Sequence, residues 1–307
     1  MSTQNTVVCL GEVLWDLLPC GPQLGGALAN VAVMLQALGD NGVLVSSVGH
    51  DSFGQQAIDI LQQRTLNLEY ISVDSNHATG TVSVLLSQEG VATYNIHENV
   101  AWDYLAMKKG LALLARSADA VCFGTLAQRS METRETIRTF IKTTAPACVR
   151  VFDVNLRSPY FTPEVIRWSL EHATIVKMNH EEVASIADCA DAPALHSDAK
   201  QLAHHLLERF PIELVAITRG GNGSLIVTRH ECFDHPGIAV NVVDTVGAGD
   251  AFTAALTHHY LRHASVRVLS EAGNRWGSWV AGQLGGMPEV PESLRRYLDH
   301  QIAASEK

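Results

Sequence analysis

The stretch Asp244-Thr-Val-Gly-Ala-Gly-Asp250-Ala-Phe-Thr-Ala-Ala-Leu256 decides how the rest of the chain is interpreted. The apolar run Ala239–Val243 precedes it and predicts a strand. Phe252, Leu256 and Tyr260 recur at helical spacing and predict a helix after the turn. The sequence therefore predicts a strand that passes through a glycine-rich turn into a helix.

The same alternation of strand and helix continues along most of the chain. Predicted helices run from Leu28 to a stop at Gly39 and cover Thr133–Thr143, Lys200–Phe210 and the tail Glu292–Lys307. Because the strands alternate with helices, we predict an α/β fold with a largely parallel sheet covered on both faces. The predicted strands are Thr6–Leu10, Gly42–Val48, Ala120–Phe123, Val149–Val154, Ile175–Met178, Leu214–Thr218 and Ser224–Thr228.

Two segments, approximately residues 12–24 and 79–101, interrupt this alternation. The first is short and contains proline and glycine residues. The second predicts two strands, Thr81–Ser87 and Ala92–Ile96, around the turn Gln88-Glu89-Gly90. We expect these segments to form a small accessory sheet that projects from the main domain.

The composition is that of a globular protein and excludes several functional classes. Of 307 residues, 47% are apolar and 18% are charged, which argues against disorder, and we expect a single domain over residues 1–307. The net charge of −10 argues against a nucleic acid partner, because phosphates favour a basic surface. No apolar run approaches the roughly 20 residues of a membrane helix, so we expect no membrane partner. The polar start Met1–Thr6 lacks the features of a signal peptide, so we expect a cytoplasmic protein.

Gly247, Ala248 and Gly249 place small residues at the predicted start of a helix. Unpaired N–H groups and the helix dipole bind anions at such a start. Asp250 beside an anion is useful if it accepts a proton from a hydroxyl group that attacks a phosphoryl group. The structural alternative is a glycine-rich helix start in which Asp250 only stabilises the first turn.

Two signatures resemble those of the ribokinase-like (PfkB-type) carbohydrate kinases. The C-terminal signature is Asp244–Leu256. The N-terminal signature is Gly25-Gly26-Ala-Leu-Ala-Asn30-Val-Ala, followed by Gly39 and by Ser47-Val-Gly49-His-Asp51-Ser-Phe-Gly54. The resemblance covers essentially the whole chain. It implies a three-layer α/β/α domain with a small β lid, and the two accessory segments stand where that lid would be.

The resemblance implies a role for each residue of the turn. Asp250 would be the catalytic base, and the amides of Gly247, Ala248 and Gly249 would stabilise the transferring phosphate of ATP. This agrees with the physical expectation that phosphoryl transfer needs positioning and preorganised donors.

Metal sites are also implied by the resemblance. Asn179-His-Glu-Glu182 matches an Asn-x-x-Glu motif that orders Mg2+ and phosphate, with Glu182 acting through water. The alternative is that the acidic pair only begins a helix. The resemblance also implies a site for a monovalent cation such as K+, formed by backbone carbonyls near Asp244 and Val246.

Nucleotide-binding residues follow from three further matches. Thr218-Arg-Gly220-Gly221-Asn-Gly223 is similar to the family's nucleotide-binding strand and glycine turn, although a plain β-hairpin turn is the structural alternative. Asn179 belongs to the motif that orders phosphate. Asn274 corresponds to the region that lines the adenine pocket in the family.

Sugar-binding residues are implied at five positions. Gly11-Glu-Val-Leu-Trp-Asp16 resembles a first-strand motif whose aspartate binds sugar hydroxyls, as a carboxylate acceptor suits a polyol. Gly26 allows close backbone approach to the sugar. Asn30 both donates and accepts, although asparagine is also common at helix starts. Asn95 on the lid and Arg157 after a strand complete the set.

The choice of sugar rests on three features. Phe152-Asp153-Val-Asn155-Leu-Arg157 resembles fructokinases and 2-keto-3-deoxygluconate kinases, and Phe123–Arg129 resembles fructokinases. Between Thr79 and Asp103 there is no Arg or Lys that could pair with a keto acid's carboxylate. We therefore expect a neutral sugar, with fructose first. Leu28 departs from the fructokinase pattern, which often has proline there.

Several alternatives stay open at this point. Within the family they are kinases for ribose, mannose, a nucleoside or 2-keto-3-deoxygluconate. From another class, a non-catalytic sugar or nucleotide sensor would share the fold. Asp250 argues against the sensor, because a pure binder has no need of a carboxylate beside the anion site. The exposed lid edge also favours a homodimer through the lid.

Overall fold

A computed structural model of the chain describes residues 4–19, 21–86 and 92–305. Its strands are β1 Thr6–Leu10, β2 Leu14–Leu18, β3 Gly21–Gly25, β4 Asn41–Gly49, β5 Ile71–Asp74, β6 Gly80–Leu86, β7 Ala92–Ile96, β8 Ala120–Gly124, β9 Val149–Asp153, β10 Ile175–Asn179, β11 Leu214–Thr218, β12 Ser224–Thr228 and β13 Cys232–His235. Its α-helices are α1 Ala27–Leu38, α2 Ser52–Gln63, α3 Lys109–Ser117, α4 Met131–Thr143, α5 Pro163–His172, α6 Val183–Cys189, α7 Ala199–Arg209, α8 Ala248–Tyr260, α9 Val266–Ala281 and α10 Glu292–Ala304. Short 3-10 helices cover Ala101–Tyr104, Leu126–Arg129, His180–Glu182, Pro193–Leu195 and Gly220–Asn222.

The main sheet has nine strands in the order β13-β12-β11-β10-β9-β8-β1-β4-β5. All neighbours from β5 across to β11 are parallel, and β12 and β13 continue the sheet antiparallel. The predicted largely parallel sheet is therefore confirmed. Because the carboxyl ends of the parallel strands share one edge, the turns that follow β1, β9 and β10 lie on the same side of the sheet.

Both faces of this sheet are covered by helices. In β1, Val7 and Cys9 belong to one apolar cluster, while Val8 and Leu10 belong to another. This alternation is the period-two pattern of a strand buried on both sides. Helices α1, α2, α8, α9 and α10 contribute to the first cluster, and α3 to α7 contribute to the second. The expected three layers are confirmed.

A separate four-stranded sheet has the order β3-β2-β6-β7 and is called the lid below. Its strands come from the two accessory segments, so the prediction of a small β sheet is confirmed. A minor apolar cluster that includes Leu14, Val82, Ile96 and Trp102 lies where this sheet meets the main domain. The predicted turn Gln88-Glu89-Gly90, with Ser87, lies outside the described residues.

The strand predicted at Ala239–Val243 is wrong, because this segment has no regular structure. Its valines 242 and 243 are 63% and 62% exposed. The N–H of Val243 donates to the carbonyl of Ala281 at the end of α9, at 2.9 Å, and not to a strand. β-propensity reflects the fit of a side chain to a half-buried sheet, and the described residues offer no sheet partner here.

The predicted tail helix Glu292–Lys307 is confirmed as α10 up to Ala304, and residues 306 and 307 lie outside the described ranges. Among the helices described, none combines the length and hydropathy needed to cross a bilayer.

Candidate active site

The first turn of α8 presents backbone N–H groups to the carboxyl edge of the sheet. Gly247 caps the helix with a φ of 79°, and a Cβ there would lie 2.5 Å from the Cα of Gly286. Only glycine meets both conditions. Ala248 was predicted as one of the donors, but its N–H is given to the Thr245 carbonyl at 3.3 Å, so it is not free for an anion. Within the described residues, the N–H groups of Gly247, Gly249 and Asp250 have no acceptor, so they are free to bind an anion.

Asp250 lies in the same turn and is 9% exposed. Asn30, on α1, donates from Nδ2 to Oδ2 of Asp250 at 2.7 Å. This contact joins the two sequence signatures in space. Burial, with a further contribution from the Asp153 charge, raises the pKa of Asp250 to about 6, although Lys177, Asn30 and Arg157 oppose the rise. A carboxylate with this pKa is ionised at neutral pH and still a usable base.

A buried ion pair stands beside this turn. Lys177 on β10 donates from Nζ to Oδ1 and Oδ2 of Asp153, at 3.1 and 3.2 Å. Thr253, one turn along α8 from Gly249, donates from Oγ1 to Oδ2 of Asp153 at 2.6 Å. Lys177 was not predicted as a site residue from the sequence. Its signal was a lysine inside the apolar strand Ile175–Met178, where a buried charge requires a partner.

Glu12 is a second residue that the sequence analysis missed. It follows β1 and is 2% exposed. Its Oε1 accepts the N–H of Ala27 at the start of α1, at 3.0 Å. Its Oε2 is buried without a partner among the described residues. Burial raises the pKa of Glu12 to about 7, with Asp250 adding to the rise and Arg157 opposing it.

The predicted sugar-binding residues lie around this centre. Asp16 on lid strand β2 is half-buried, and burial raises its pKa to about 6 against the lowering effect of Arg157. Arg157 is exposed, and its charge lowers the pKa values of Asp16, Glu12 and Asp250, most prominently that of Asp16. Asn155, in the same loop, has a φ of 37°, an uncommon backbone conformation for a residue other than glycine.

Gly26 and Asn95 occupy different surroundings. Gly26 has a φ of 108°, and a Cβ there would lie 2.3 Å from the carbonyl oxygen of Glu12. The requirement for glycine is therefore set by the protein's own backbone. Asn95 is exposed on β7 opposite Ser83. His97, just after β7, lies between the hydroxyls of Thr81 and Ser83, at 2.8 Å from each.

Asn179 and Glu182 form a reciprocal cap. Oδ1 of Asn179 accepts the N–H groups of Glu181 and Glu182, and Oε2 of Glu182 accepts the N–H of Asn179 at 2.8 Å. Oε1 of Glu182 accepts the N–H of Leu156 at 2.7 Å. The carboxylate therefore joins the loops after β9 and β10. Each oxygen retains a second lone pair, which can accept a hydrogen bond from a magnesium-bound water.

The glycine turn between β11 and β12 packs on neighbouring backbone. Gly220 and Gly223 have φ values of 56° and 81°. A Cβ on Gly223 would lie 2.0 Å from the carbonyl oxygen of His235. Thr218 ends β11 and donates from Oγ1 to the Met178 carbonyl at 3.4 Å. The glycines at 220 and 223 are therefore accounted for by the geometry of a hairpin turn, which was the structural alternative.

Asn274 is 7% exposed on α9. Its Nδ2 donates to Oγ of Ser224 and to the carbonyl of Ser270, each at 2.7 Å. The amide thus ties α9 to β12.

Asp244 holds two loops together. Its Oδ1 accepts the N–H of Val246 at 3.0 Å, and its Oδ2 accepts the N–H of Gly285 at 3.1 Å. Beside it lies an exposed apolar group composed of Val240, Val242, Val243, Val246 and Leu284, of which the first three belong to the segment predicted as a strand. Such a group beside an anion site offers an apolar platform for a flat ligand.

Comparison with known proteins adds independent findings. A family model described as pfkB family carbohydrate kinase matches residues 21–293. The chain is 31% identical to a fructokinase of Salmonella typhimurium over 262 residues, which is 80% of this chain and 81% of the relative. It is 28% identical to Fructokinase-2 of Zea mays over 94% of this chain and 91% of the relative.

Solved structures agree with these sequence relatives. An uncharacterised sugar kinase from Pyrococcus horikoshii, in complex with ATP, superposes with a TM-score of 0.80. It shares 26% identity, and the match covers 97% of this chain and 99% of that one.

Proposed function

This chain belongs to the pfkB family of carbohydrate kinases, and we propose that it transfers the γ-phosphoryl group of ATP to a hydroxyl group of a neutral sugar, with fructose favoured. The observation that carries this proposal is the position of Asp250. A buried carboxylate at an amide-lined helix start is unfavourable for anion binding alone, but suits a base that deprotonates a hydroxyl group beside a phosphate.

The chemistry follows from these groups. The sugar oxygen attacks the γ-phosphorus, the bond to the β,γ-bridging oxygen breaks, and ADP leaves. Asp250 accepts the hydroxyl proton. The N–H groups of Gly247, Gly249 and Asp250 supply fixed donors for the charge on the phosphoryl oxygens. Closure of the lid over the sugar would exclude water and limit ATP hydrolysis.

Sugar hydroxyls would be held by Asp16, Asn30 and Glu12. The buried Oε2 of Glu12 and Oδ1 of Asn30 have no partner among the described residues, and each can accept a hydrogen bond from a sugar hydroxyl group. Gly26 would also lie near the sugar, although its own conformation is set by the Glu12 carbonyl, and Asn95 would approach from the lid. Arg157 would neutralise part of the charge that three carboxylates and a phosphate bring together.

ATP as the donor is supported by the nucleotide in the Pyrococcus horikoshii relative. The turn Thr218–Gly223 and Asn274 frame one side of the nucleotide site, and the exposed valines after Gly237 supply its apolar platform. Glu182, with Asn179, suits Mg2+ through water, and the metal would supply charge neutralisation of the phosphates. Backbone carbonyls at Asp244 and Val246 would hold K+.

Fructose is favoured over a keto acid because the lid lacks a cation. Residues 79–103 contain no Arg or Lys, so a substrate carboxylate would find no bidentate partner there. The names of the curated relatives point the same way. We further propose that the lid supports a homodimer, since β3 and β7 are edge strands of its sheet.

An ADP-release assay with Mg-ATP tests the proposal. The acceptors are fructose, ribose, mannose, glucose, adenosine and 2-keto-3-deoxygluconate, each with the wild type and Asp250→Asn. We expect saturable turnover with fructose and a loss of at least about 100-fold in kcat for the variant. Turnover on the keto acid alone would contradict the neutral-sugar assignment. Binding of ATP and sugar without turnover on any acceptor would favour the sensor.

A further inference from the structure

Lys177 is a buried cation that faces the start of α8. Its side chain is 8% exposed. A Cβ built on Gly249 would lie 3.0 Å from its Nζ, so the ammonium packs against the Cα of that glycine. Gly249 has an ordinary φ, and apart from its chain neighbours and the backbone of its own helix, only Nζ and Cε of Lys177 lie within 4 Å of that added Cβ among the described residues. The lack of a side chain at position 249 therefore leaves room for the ammonium group.

The hydrogen bonds of this ammonium leave part of its capacity unused. An ammonium group has three N–H donors. Among the described residues, its only acceptors are the two oxygens of Asp153. Asp153 is in turn anchored by Thr253 from α8 itself. The pair is thus fixed relative to the anion-binding amides.

Its charge is maintained although the group is buried. Burial alone would lower the pKa of Lys177, but the Asp153, Asp250 and Glu182 carboxylates hold it above its usual value. A second cation, Arg157, is exposed at the rim. A phosphate that reaches the α8 amides would add negative charge beside Asp250, and Lys177 is the buried cation positioned to offset it.

We propose that the Lys177 ammonium contacts a non-bridging oxygen of the transferred phosphoryl group, next to the N–H groups of Gly249 and Asp250. This inference rests on the proposed kinase function. The Asp153 carboxylate orients the Lys177 ammonium, and the ammonium neutralises the charge of that carboxylate. Lys177 is then a catalytic residue, while Asp153 and Thr253 are positioning residues.

The test compares D153N/K177M with D153N. The double variant removes both members of the buried pair and leaves no unpaired buried charge, whereas D153N retains the ammonium. Affinities for ADP and for the non-hydrolysable ATP analogue AMP-PNP are measured by calorimetry with Mg2+ present, together with kcat on the best sugar. Thermal unfolding and sugar binding establish that both variants are folded.

We expect the wild type to bind AMP-PNP more tightly than ADP, because only AMP-PNP carries a γ-phosphoryl group. The D153N/K177M variant should bind ADP within about 3-fold of the wild type but should bind AMP-PNP no more tightly than ADP. Its kcat should fall by about 100-fold or more. D153N should keep kcat within about 10-fold of the wild type, since the ammonium remains. If the double variant keeps the rate of D153N and the wild-type preference for AMP-PNP, Lys177 has no contact with the phosphoryl group.

A second variant covers the case in which the double variant does not fold. Gly249→Ala keeps both charges but places a Cβ against Nζ, so the same loss of preference for AMP-PNP is expected, and an unchanged preference would overturn the proposal. A wild type without turnover on any sugar would instead contradict the proposed function.

Discussion

At the scale of single residues, the burial of Asp250, the proposed base, has a cost in stability. Its pKa of about 6 in the folded protein exceeds the ordinary value of 3.8. The stabilising contribution of this group is therefore complete below about pH 4 and is lost as the pH rises through about 6. We expect Asp250→Asn to raise the free energy of unfolding at pH 8 by about 1–3 kcal/mol, with little difference at pH 4.

Urea unfolding at both pH values measures this difference. Asparagine preserves the shape of the side chain and the contact with Asn30, so a gain at pH 8 reports the buried charge. A variant that is less stable than the wild type at pH 8 would contradict the view that the buried charge of Asp250 destabilises the folded protein.

The pH dependence of turnover follows from the same group. Since a general base must be deprotonated, we expect kcat/KM to rise with pH and to reach half its maximum near pH 6 on the acid side. Glu12, with a pKa of about 7, is the competing assignment. The pH profile of Glu12→Gln separates the two, because the limb near pH 6 should persist in it. A limb that vanishes in Glu12→Gln would assign the titration to Glu12.

The sequence pointed to Asp250 and to a candidate anion site because glycine, alanine and aspartate at a helix start have a local signature. Glu12 has no such signature, and Lys177 has only its position inside an apolar strand. Their roles depend on partners distant in the chain, Asp153 and Ala27, which only the assembled sheet places beside them. Whether a charged side chain is buried depends on the assembled fold and cannot be read from the local sequence pattern.

At the scale of elements, the turn between β11 and β12 shows why glycine occurs there. Gly223 has a φ of 81°, and its Cβ would meet the His235 carbonyl oxygen, whereas a Cβ on Gly221 would meet nothing within 4 Å. We expect Gly223→Ala to lower the free energy of unfolding by about 1–3 kcal/mol, and Gly221→Ala to change it by less than about 0.5 kcal/mol.

Chemical denaturation of the two variants measures this contrast. Equal effects at the two positions would show that packing against β13 does not determine the glycine at 223.

The segment Ala239–Val243 marks the limit of pattern-based prediction at this scale. Its valines have high β-propensity, yet β13 ends the sheet and their backbone pairs with the end of α9. The helices and inner strands were predictable because both faces of the sheet are buried, which makes apolar runs continuous.

At the scale of the whole molecule, Arg129 joins the lid to the main domain. It donates from Nε and Nη2 to the two oxygens of Asp103, each at 2.8 Å, and from Nη2 to the His97 carbonyl at the end of β7. Its guanidinium lies 4.0 Å from the ring centroid of Trp102 and 5.0 Å from that of Tyr160. Loop segments from three parts of the chain therefore meet at one buried cation.

We expect Arg129→Met to lower the free energy of unfolding by about 3–5 kcal/mol, because Asp103 is left buried and unpaired. Arg296→Met is the matched control. Its pair with Glu292 is exposed, so its loss should leave the free energy of unfolding nearly unchanged. Denaturant titration compares the two, and similar small effects would show that Arg129 does not hold the lid in place.

The order of strands in the main sheet lay beyond the sequence patterns. β1 pairs with β4 and β8, and these contacts depend on crossovers through whole helices. The resemblance to a family implied the layers and the lid. No local sequence pattern predicts the strand order or the contact between Asn30 and Asp250.

The most direct test of the central claim is phosphorus NMR of the wild type with Mg-ATP and fructose. The account predicts a new phosphomonoester resonance that grows as ADP appears, with proton coupling that identifies the acceptor carbon. It also predicts that Asp250→Asn forms this product at least about 100-fold more slowly. Release of inorganic phosphate alone, or equal product formation by the variant, would contradict the account.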